Sequence, residues 1–224
     1  ISIDLIFSLP NQSLKDWNEN LRMAFELDIQ HISSYSLTIE EKTKLKYLIE
    51  NNKLSELVDI ESSNHFRLLV EECEKRGFIQ YEISNFGKKN YFSTHNSNYW
   101  VGSEFLGIGP SAHSYNGESR RWNISSNSKY IQSIKNNIIP SNEEKLTNSE
   151  KFNDYIMTSL RTIWGADLIL IKKKFGKTIH SDLNKQIQKW IKSKDIFQEK
   201  EKIYLTTKGK FISDSICSDL FRVD

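Results

Sequence analysis

Cysteine is nearly absent from this 224-residue chain, and the shortage excludes two kinds of protein. The sequence contains only Cys73 and Cys217, which lie far apart. Two cysteines at this distance in sequence indicate neither a disulfide framework nor a zinc site. A chain with so few cysteines suits a reducing compartment, and we expect it to be cytoplasmic.

The sequence also lacks a strong charge of one sign and a long apolar run. The formal net charge is +2 and the isoelectric point is near 8.4, so the whole chain requires no nucleic-acid partner. No stretch is apolar for the roughly 18 residues that a membrane helix needs, and we expect no integral membrane segment. The chain opens at Ile1 inside a strand-like run, which leads us to expect a fragment of a longer protein.

Histidine, aromatic residues and glycine concentrate in one stretch, Tyr91 to Ser114. It holds His95 and His113, which are two of the five histidines, together with Tyr99 and Trp100 and three of the nine glycines. Glycine lets backbone approach a ligand closely, and aromatic rings supply flat contact area. The stretch therefore predicts a pocket wall. The alternative is a glycine-rich loop beside a buried strand.

The front of the chain predicts a strand, a helix and a second strand. Ile1 to Leu9 is an apolar run that ends before a proline, and His31 to Ile39 is a second strand-like run. Between them, apolar residues recur at spacings of three and four after Ser13, the expected N-cap, with Asp16 at the capping-box position. This order predicts a parallel, right-handed crossover of the kind that builds barrels and doubly wound sheets.

Two polar residues of these strands are candidates for ligand contact. Asp4 is an acid within an apolar strand, and a buried carboxylate needs a partner or a ligand. Thr38 follows the second strand. Because ligands gather at the carboxyl ends of parallel strands, we expect Asp4 and Thr38 to contribute to one site.

The remainder of the chain predicts a small helical module after a linker. We expect His95 to lie in a loop, 106–114 to form a short strand, 140–147 to be a linker or turn, and 148–163 to be a helix. The following pattern of helix, helix, hairpin and helix is close to a winged helix, which raises nucleic-acid binding as an alternative. Its lysines alternate with a regular apolar face, as solvated residues do, so we expect no nucleic-acid partner.

Six motifs carry a resemblance to a known family. The chain reads, in order, DLIFSLPNQS, HISSYSLTIE, YEISNF, HNSNYW, FLGIGPSAHS and RRWN, and later LRTIWGADL and LTTKGKFISDSICSDLF. In this order they resemble the radical-SAM family of heme chaperones and oxygen-independent coproporphyrinogen III oxidases. The resemblance covers essentially the whole chain but only the later part of the family's length. The CxxxCxxC loop that holds a 4Fe-4S cluster in the family is absent from this chain.

The resemblance implies an α/β fold with two parts. Residues 1–139 would form the last strands and helices of an incomplete radical-SAM (βα) barrel, and 140–224 a small, mainly helical, winged-helix-like domain. It also implies that Asp4, Thr38 and His113 contact S-adenosylmethionine. The family's usual glycine is replaced by Ser8. We expect no catalytic residue in this chain and no cofactor bound to it by itself.

The HNSNYW motif is typical of the heme chaperones within this family, so the resemblance favours heme handling. His95 would be the axial ligand of the heme iron, with Tyr99 and Trp100 against the macrocycle, and His113 could serve instead. The alternative for His95 is a histidine that hydrogen-bonds a loop backbone and does not contact iron. The partners implied are heme or a porphyrin and the hemoproteins that receive it. Two alternatives stay open: oxidative decarboxylation of coproporphyrinogen III to protoporphyrinogen IX, which makes enzymatic activity uncertain, and a non-catalytic interaction module.

Overall fold

Two hydrophobic cores organise the chain. The computed structural model describes residues 1–55 and 58–223. The first core lies in the front part, around Trp17, Leu21 and Leu69, which are at most 1% exposed. The second lies in the closing part, around Ile156, Leu160 and Ile203, which are fully buried.

The first core lies between a four-stranded sheet and two of the three helices in this part of the chain, the first and the third. The strands are β1 (Ser2–Phe7), β2 (His31–Ser36), β3 (Ile79–Glu82) and β4 (Asn85–Gly87), and the helices are α1 (Leu14–Glu26), α2 (Lys44–Glu50) and α3 (Asp59–Lys75). The strand order is β1-β2-β4-β3, with β1 parallel to β2 and the other pairs antiparallel. The crossover through α1 confirms the predicted strand, helix and strand.

Local sequence explains where α1 and α3 begin and end. Ser13 accepts a hydrogen bond from the backbone N–H of Asp16, and the Asp16 carboxylate accepts one from the backbone of Ser13, so the predicted capping box is present. Helix α3 ends beside Gly77, whose φ of +75° is favourable for glycine. Cys73 is fully buried on the inner face of α3.

A second layer of short elements follows. These are α4 (Thr94–Trp100), β5 (His113–Tyr115), β6 (Ser119–Asn123), α5 (Asn127–Lys135) and β7 (Ser141–Lys145). Strands β5, β6 and β7 form an antiparallel sheet. Strand β7 begins after residue 139, so this sheet crosses the predicted boundary, and the two-domain division stays a prediction.

The closing part contains α6 (Asn148–Leu160), β8 (Ala166–Asp167), α7 (Leu168–Phe175), α8 (Lys177–Lys192), β9 (Ile196–Glu199), β10 (Lys202–Leu205), α9 (Thr207–Phe211) and α10 (Ser213–Leu220). The order of α7, α8, the β9–β10 hairpin and α9 agrees with the predicted winged-helix-like arrangement. Among the described residues, no helix is long and apolar enough to cross a membrane.

Three predicted elements are wrong. The segment around His95 is the helix α4 and not a loop, because Ser93 caps it by accepting from the backbone N–H of Asn96 at 3.2 Å. The predicted linker 140–147 contains the strand β7, which is held by pairing with β6. The predicted strand 106–114 is irregular up to His113, and only β5 pairs in the sheet.

Candidate functional site

A cleft of about 810 Å³ lies between α4, the β5–β7 sheet and α6. We call it the aromatic cleft because rings from residues between 99 and 164 line it. These rings belong to Tyr99, Trp100, Phe105, His113, Tyr115, Trp122, Tyr155 and Trp164. Such a collection of flat, largely apolar surfaces suits a large planar ligand.

Helix α4 places Tyr99 and Trp100 in the aromatic cleft. The Trp100 indole Nε1 donates to the Asn96 side-chain oxygen at 3.2 Å, one turn earlier. The Tyr99 ring packs edge-on against Phe105 with centroids 4.9 Å apart. The guanidinium of Arg161 lies 5.4 Å from the centre of the Trp100 ring. Each ring is therefore fixed by a neighbour before any ligand binds.

His113 enters the same cleft from β5, and the loop before it sets its position. The backbone N–H of Gly107 donates to Ser114 Oγ at 3.0 Å, and the Asn123 side chain donates to the Gly109 carbonyl at 2.9 Å. A Cβ atom at Gly107 would lie 2.1 Å from the His113 carbonyl oxygen, so this close approach requires glycine. Within the part of the chain that the structure describes, no group hydrogen-bonds the exposed His113 ring. Both ring nitrogens are therefore available to a ligand.

Cationic side chains also line the aromatic cleft. Arg120 on β6 forms an ion pair with Asp154 and lies 3.6 Å from a Glu144 carboxylate oxygen. Lys151 pairs with Glu118, while Lys174 lies 5.4 Å from the centre of the Phe175 ring. Glu144 and Asp154 also line the cleft, and among the described residues only Lys174 of the three cations has no carboxylate within 4.0 Å. Apolar rings with a cation of this kind suit a macrocycle with acidic substituents.

Burial changes the acidity of two tyrosines in this cleft. The pKa of Tyr115 is raised, mainly by burial and then by the negative charge of Asp154. Burial also raises the pKa of Tyr155, although its hydroxyl accepts a hydrogen bond from the Asp167 backbone N–H at 2.9 Å. Both phenols therefore stay protonated near neutral pH.

The structure places His95 beside the aromatic cleft and not in its lining. The His95 ring is exposed and packs edge-on against Tyr99 one turn later, with ring centroids 5.1 Å apart. The three residues predicted for heme contact are therefore adjacent on α4. Only Tyr99 and Trp100 line the cleft.

The structure does not bring Asp4, Thr38 and His113 to one cleft. Thr38 lines a second cleft of about 500 Å³ at the carboxyl ends of β1 and β2, which we call the strand-end cleft. His113 lines the aromatic cleft, and the two clefts share no lining residue. Asp4 lies opposite Ser33 within the sheet and is exposed. Its carboxylate offers acceptors that fit the ribose hydroxyls of S-adenosylmethionine.

A chain of hydrogen bonds connects the first sheet to the aromatic cleft. His31 Nδ1 is 2.8 Å from Ser2 Oγ, and His31 Nε2 is 2.8 Å from the Tyr81 hydroxyl. The Asn96 side-chain amide lies 3.4 Å from the same hydroxyl and accepts from Trp100. Sequence reasoning missed these hydrogen bonds, because the partners in one of them, His31 and Tyr81, are 50 residues apart in the chain.

The two cysteines do not fit a 4Fe-4S cluster. Cys73 lies in the first core and Cys217 in the second. Burial raises the pKa of the Cys73 thiol to about 12 and that of Cys217 to about 11, so neither is a thiolate at neutral pH. Within residues 1–55 and 58–223, no three histidine, cysteine or acidic side chains are grouped to hold a metal ion. A cluster would need thiolates that this chain does not supply.

Comparison with known proteins shows which family the chain resembles. The heme chaperone HemW of Bacillus subtilis is 30% identical over 218 residues, which cover 96% of this chain and 57% of the relative. A mitochondrial radical S-adenosyl methionine domain-containing protein 1 from Dictyostelium discoideum is 31% identical over 99% of this chain and 57% of its own length. This chain is therefore similar over nearly its whole length to radical-SAM proteins that are named heme chaperones. It spans about 57% of the length of these relatives.

The fold agrees with this family. A solved structure of the Escherichia coli coproporphyrinogen III oxidase HemN, described as a radical SAM enzyme, matches 98% of this chain and 54% of its own, with a TM-score of 0.77. The identity is 17%, so the likeness shows the fold alone. It confirms the predicted radical-SAM α/β fold. No family model matches the chain.

Much of the aromatic cleft was not predicted. The sequence stretch 91–114 supplies Tyr99, Trp100 and His113, but Tyr115, Trp122, Tyr155 and Trp164 reach the cleft from later elements. The only available signal was compositional, since RRWN and LRTIWGADL both carry a tryptophan beside an arginine or a glycine.

Proposed function

We propose that the whole protein is a heme chaperone, which binds heme and delivers it to hemoproteins, and that the aromatic cleft is its heme-binding surface. The name heme chaperone HemW belongs to the relatives of about 30% identity and supports this assignment. The observation that carries it is the cleft of about 810 Å³ that joins eight aromatic or imidazole rings to three cationic side chains.

Two histidines are candidate axial ligands, and their positions rank them. His113 lines the cleft, its ring is exposed, and it has no hydrogen-bond partner among the described residues. His95 lies one helical turn from Tyr99, at the edge of the cleft. We therefore assign His113 as the iron ligand, with His95 as the second candidate. Tyr99 and Trp100 would contact the macrocycle, and the cationic side chains would attract its carboxylates.

Few residues of this chain are candidates for contact with the family's other cofactors. Asp4 would accept hydrogen bonds from the ribose hydroxyls of S-adenosylmethionine, and Thr38 is a second candidate contact. In radical-SAM enzymes, the bound cofactor and the 4Fe-4S cluster supply a 5′-deoxyadenosyl radical. His113 lines the aromatic cleft and not the strand-end cleft, so its assignment in this proposal is to heme iron. The likeness to the HemN structure favours the alternative function, oxidative decarboxylation of coproporphyrinogen III. At 17% identity, however, this likeness supports a shared fold and not a shared activity.

Heme titration of the His113→Ala and His95→Ala variants tests this function. Loss of an axial bond to iron should shift the Soret band and weaken binding at least about ten-fold, which corresponds to about 1.4 kcal/mol. We expect both changes in His113→Ala and a smaller loss, without a Soret shift, in His95→Ala. The measurement is absorbance titration of the whole protein and of this chain with hemin.

His180→Ala is the matched control, because His180 lies on α8, outside the aromatic cleft. A Soret shift in His95→Ala alone would move the ligand assignment to His95. Unchanged affinity and spectrum in both variants and in Trp100→Ala would contradict the assignment of heme to this cleft.

A further inference from the structure

The strand-end cleft contains hydroxyl groups that the fold leaves without partners. Ser8, which follows β1, is 8% exposed, and Ser34 in β2 is 2% exposed. Both residues line the cleft, and within the described part of the chain neither Oγ atom has a hydrogen-bond partner. A buried hydroxyl without a partner costs free energy, so these two groups indicate that a polar ligand completes the site.

A half-buried lysine lines the same cleft. Lys210 on α9 donates from Nζ to the Gln80 side-chain oxygen at 3.0 Å. Among the ion pairs of the described residues, none joins this ammonium to a carboxylate within 4.0 Å. Burial lowers the Lys210 pKa, and the negative charges of Glu74 and Glu82 raise it in part. An anion beside the ammonium would oppose the effect of burial.

The other charged groups of the cleft do not prevent an anion from binding beside Lys210. Arg161 forms an ion pair with Asp214, which offsets that carboxylate. The Arg161 Nε atom is buried and has no partner among the described residues, so it adds a further unused donor. Asp59 also lines the cleft, but it is exposed in the first turn of α3, where the helix dipole favours a negative charge.

We propose that the strand-end cleft binds a small oxyanion, a carboxylate or phosphate group, through Lys210 and the hydroxyls of Ser8 and Ser34. Hydroxyl and ammonium groups are the donors that recognise such oxygens, and charge-assisted hydrogen bonds are the strong ones. The site is distinct from the proposed heme surface, because the two clefts share no lining residue. It also joins two parts of the molecule, since Ser8 and Ser34 belong to the first sheet and Lys210 to the closing part.

An anion titration monitored by nuclear magnetic resonance tests this site. The chain, in Tris buffer, is titrated in separate experiments with inorganic phosphate and with acetate, and the backbone amide signals of Ser36, Thr38 and Ser84 are followed. We expect saturable shifts with at least one anion. The anion that binds more tightly shows whether the site prefers a phosphate or a carboxylate group. Lys210→Met should weaken this binding about ten-fold, because an ammonium contact is lost. Ser34→Ala should weaken it about five-fold, in line with one hydrogen bond of about 1 kcal/mol.

Lys172→Met is the control, because it removes an equal charge from an exposed position on α7 outside the cleft. Its anion affinity should equal that of the unaltered chain. The Ser34→Ala variant also guards against loss of fold, since it removes a hydroxyl that has no partner. Shifts that do not saturate, or that are the same in Lys210→Met and Ser34→Ala as in the unaltered chain, would overturn the proposal. Shifts confined to surface lysines would mean an adventitious ion only.

Discussion

At the scale of single residues, His31 is the group whose importance depends most on tertiary contacts. From the sequence it is one histidine at the start of a strand, with no neighbouring residue that indicates a role. In the structure it is 7% exposed and lies between Ser2 and Tyr81. The Tyr81 hydroxyl in turn meets Asn96, which orients Trp100. His31 therefore supports the aromatic cleft from a distance.

Stability should fall in mild acid because two buried histidines are neutral in the folded chain. Burial lowers the pKa of His31 and of His65, while the nearby charges of Asp4 and Glu61 raise them in part. The unfolded chain binds more protons as pH falls through the unfolded value of 6.5, so the free energy of unfolding decreases from that pH towards the lower folded values. Each histidine contributes a slope of at most about 1.4 kcal/mol per pH unit.

Urea unfolding at about pH 7.5 and at about pH 5.5 measures this slope. His31→Gln and His65→Gln should each lower stability at the higher pH and reduce the dependence on pH. If the double variant keeps the full slope of the unaltered chain, other groups are responsible.

At the scale of elements, α4 is a helix whose formation depends on its ends. Its seven residues show no apolar period, so the sequence predicted a loop. The Ser93 cap and the contacts of Asn96 stabilise the helix in place of a periodic apolar face. The helix then places His95, Tyr99 and Trp100 on neighbouring turns, which no loop would fix so closely.

Removing this cap should damage heme binding more than folding. Ser93→Ala should lower stability by about 0.5–2 kcal/mol, as for other N-cap serines. Most of this loss should be a loss of helical order in α4. We expect heme affinity to fall at least about three-fold, since about 0.7 kcal/mol of lost helix order suffices for this. Ser126→Ala is the control, because Ser126 caps α5 in the same way and lies outside the aromatic cleft. Equal heme affinity in the two variants would contradict a role for α4 order.

The elements that could be predicted are those with a periodic apolar face or a clear cap. Helix α1 has both, and α3 has an apolar face that ends at a glycine. Strand β7 has neither: its sequence SNEEK is polar, and four of its five residues are exposed. It forms because β6 lies beside it, with Arg120 opposite Glu144. In the candidate site, the stretch 91–114 was recognised by composition, while the rings from α6 and beyond arrive only through packing of distant elements.

At the scale of the whole molecule, the two cores are joined along one edge of the first sheet. The backbone N–H of Ile163 donates to the Tyr81 carbonyl at 3.0 Å, so the segment after α6 covers the outer edge of β3. The side-chain hydrogen bond from Lys210 to Gln80 adds a second connection. At the opposite edge, β1 pairs with β2, and none of the described residues pairs with its other side.

The open edge of β1 should make this chain self-associate through strand pairing. An unpaired edge presents backbone donors and acceptors to another chain, and Ile6, which is 50% exposed, adds apolar surface to it. Ile6→Lys should shift the chain towards the monomer, because a charge on an edge strand opposes pairing. Light scattering after size-exclusion chromatography measures the mass over a range of concentrations. Ile79→Lys is the matched control: Ile79 is 39% exposed and begins β3, whose edge is already covered. A chain that is monomeric at every concentration, or one that Ile6→Lys and Ile79→Lys dissociate equally, would show that the β1 edge does not recruit a partner strand.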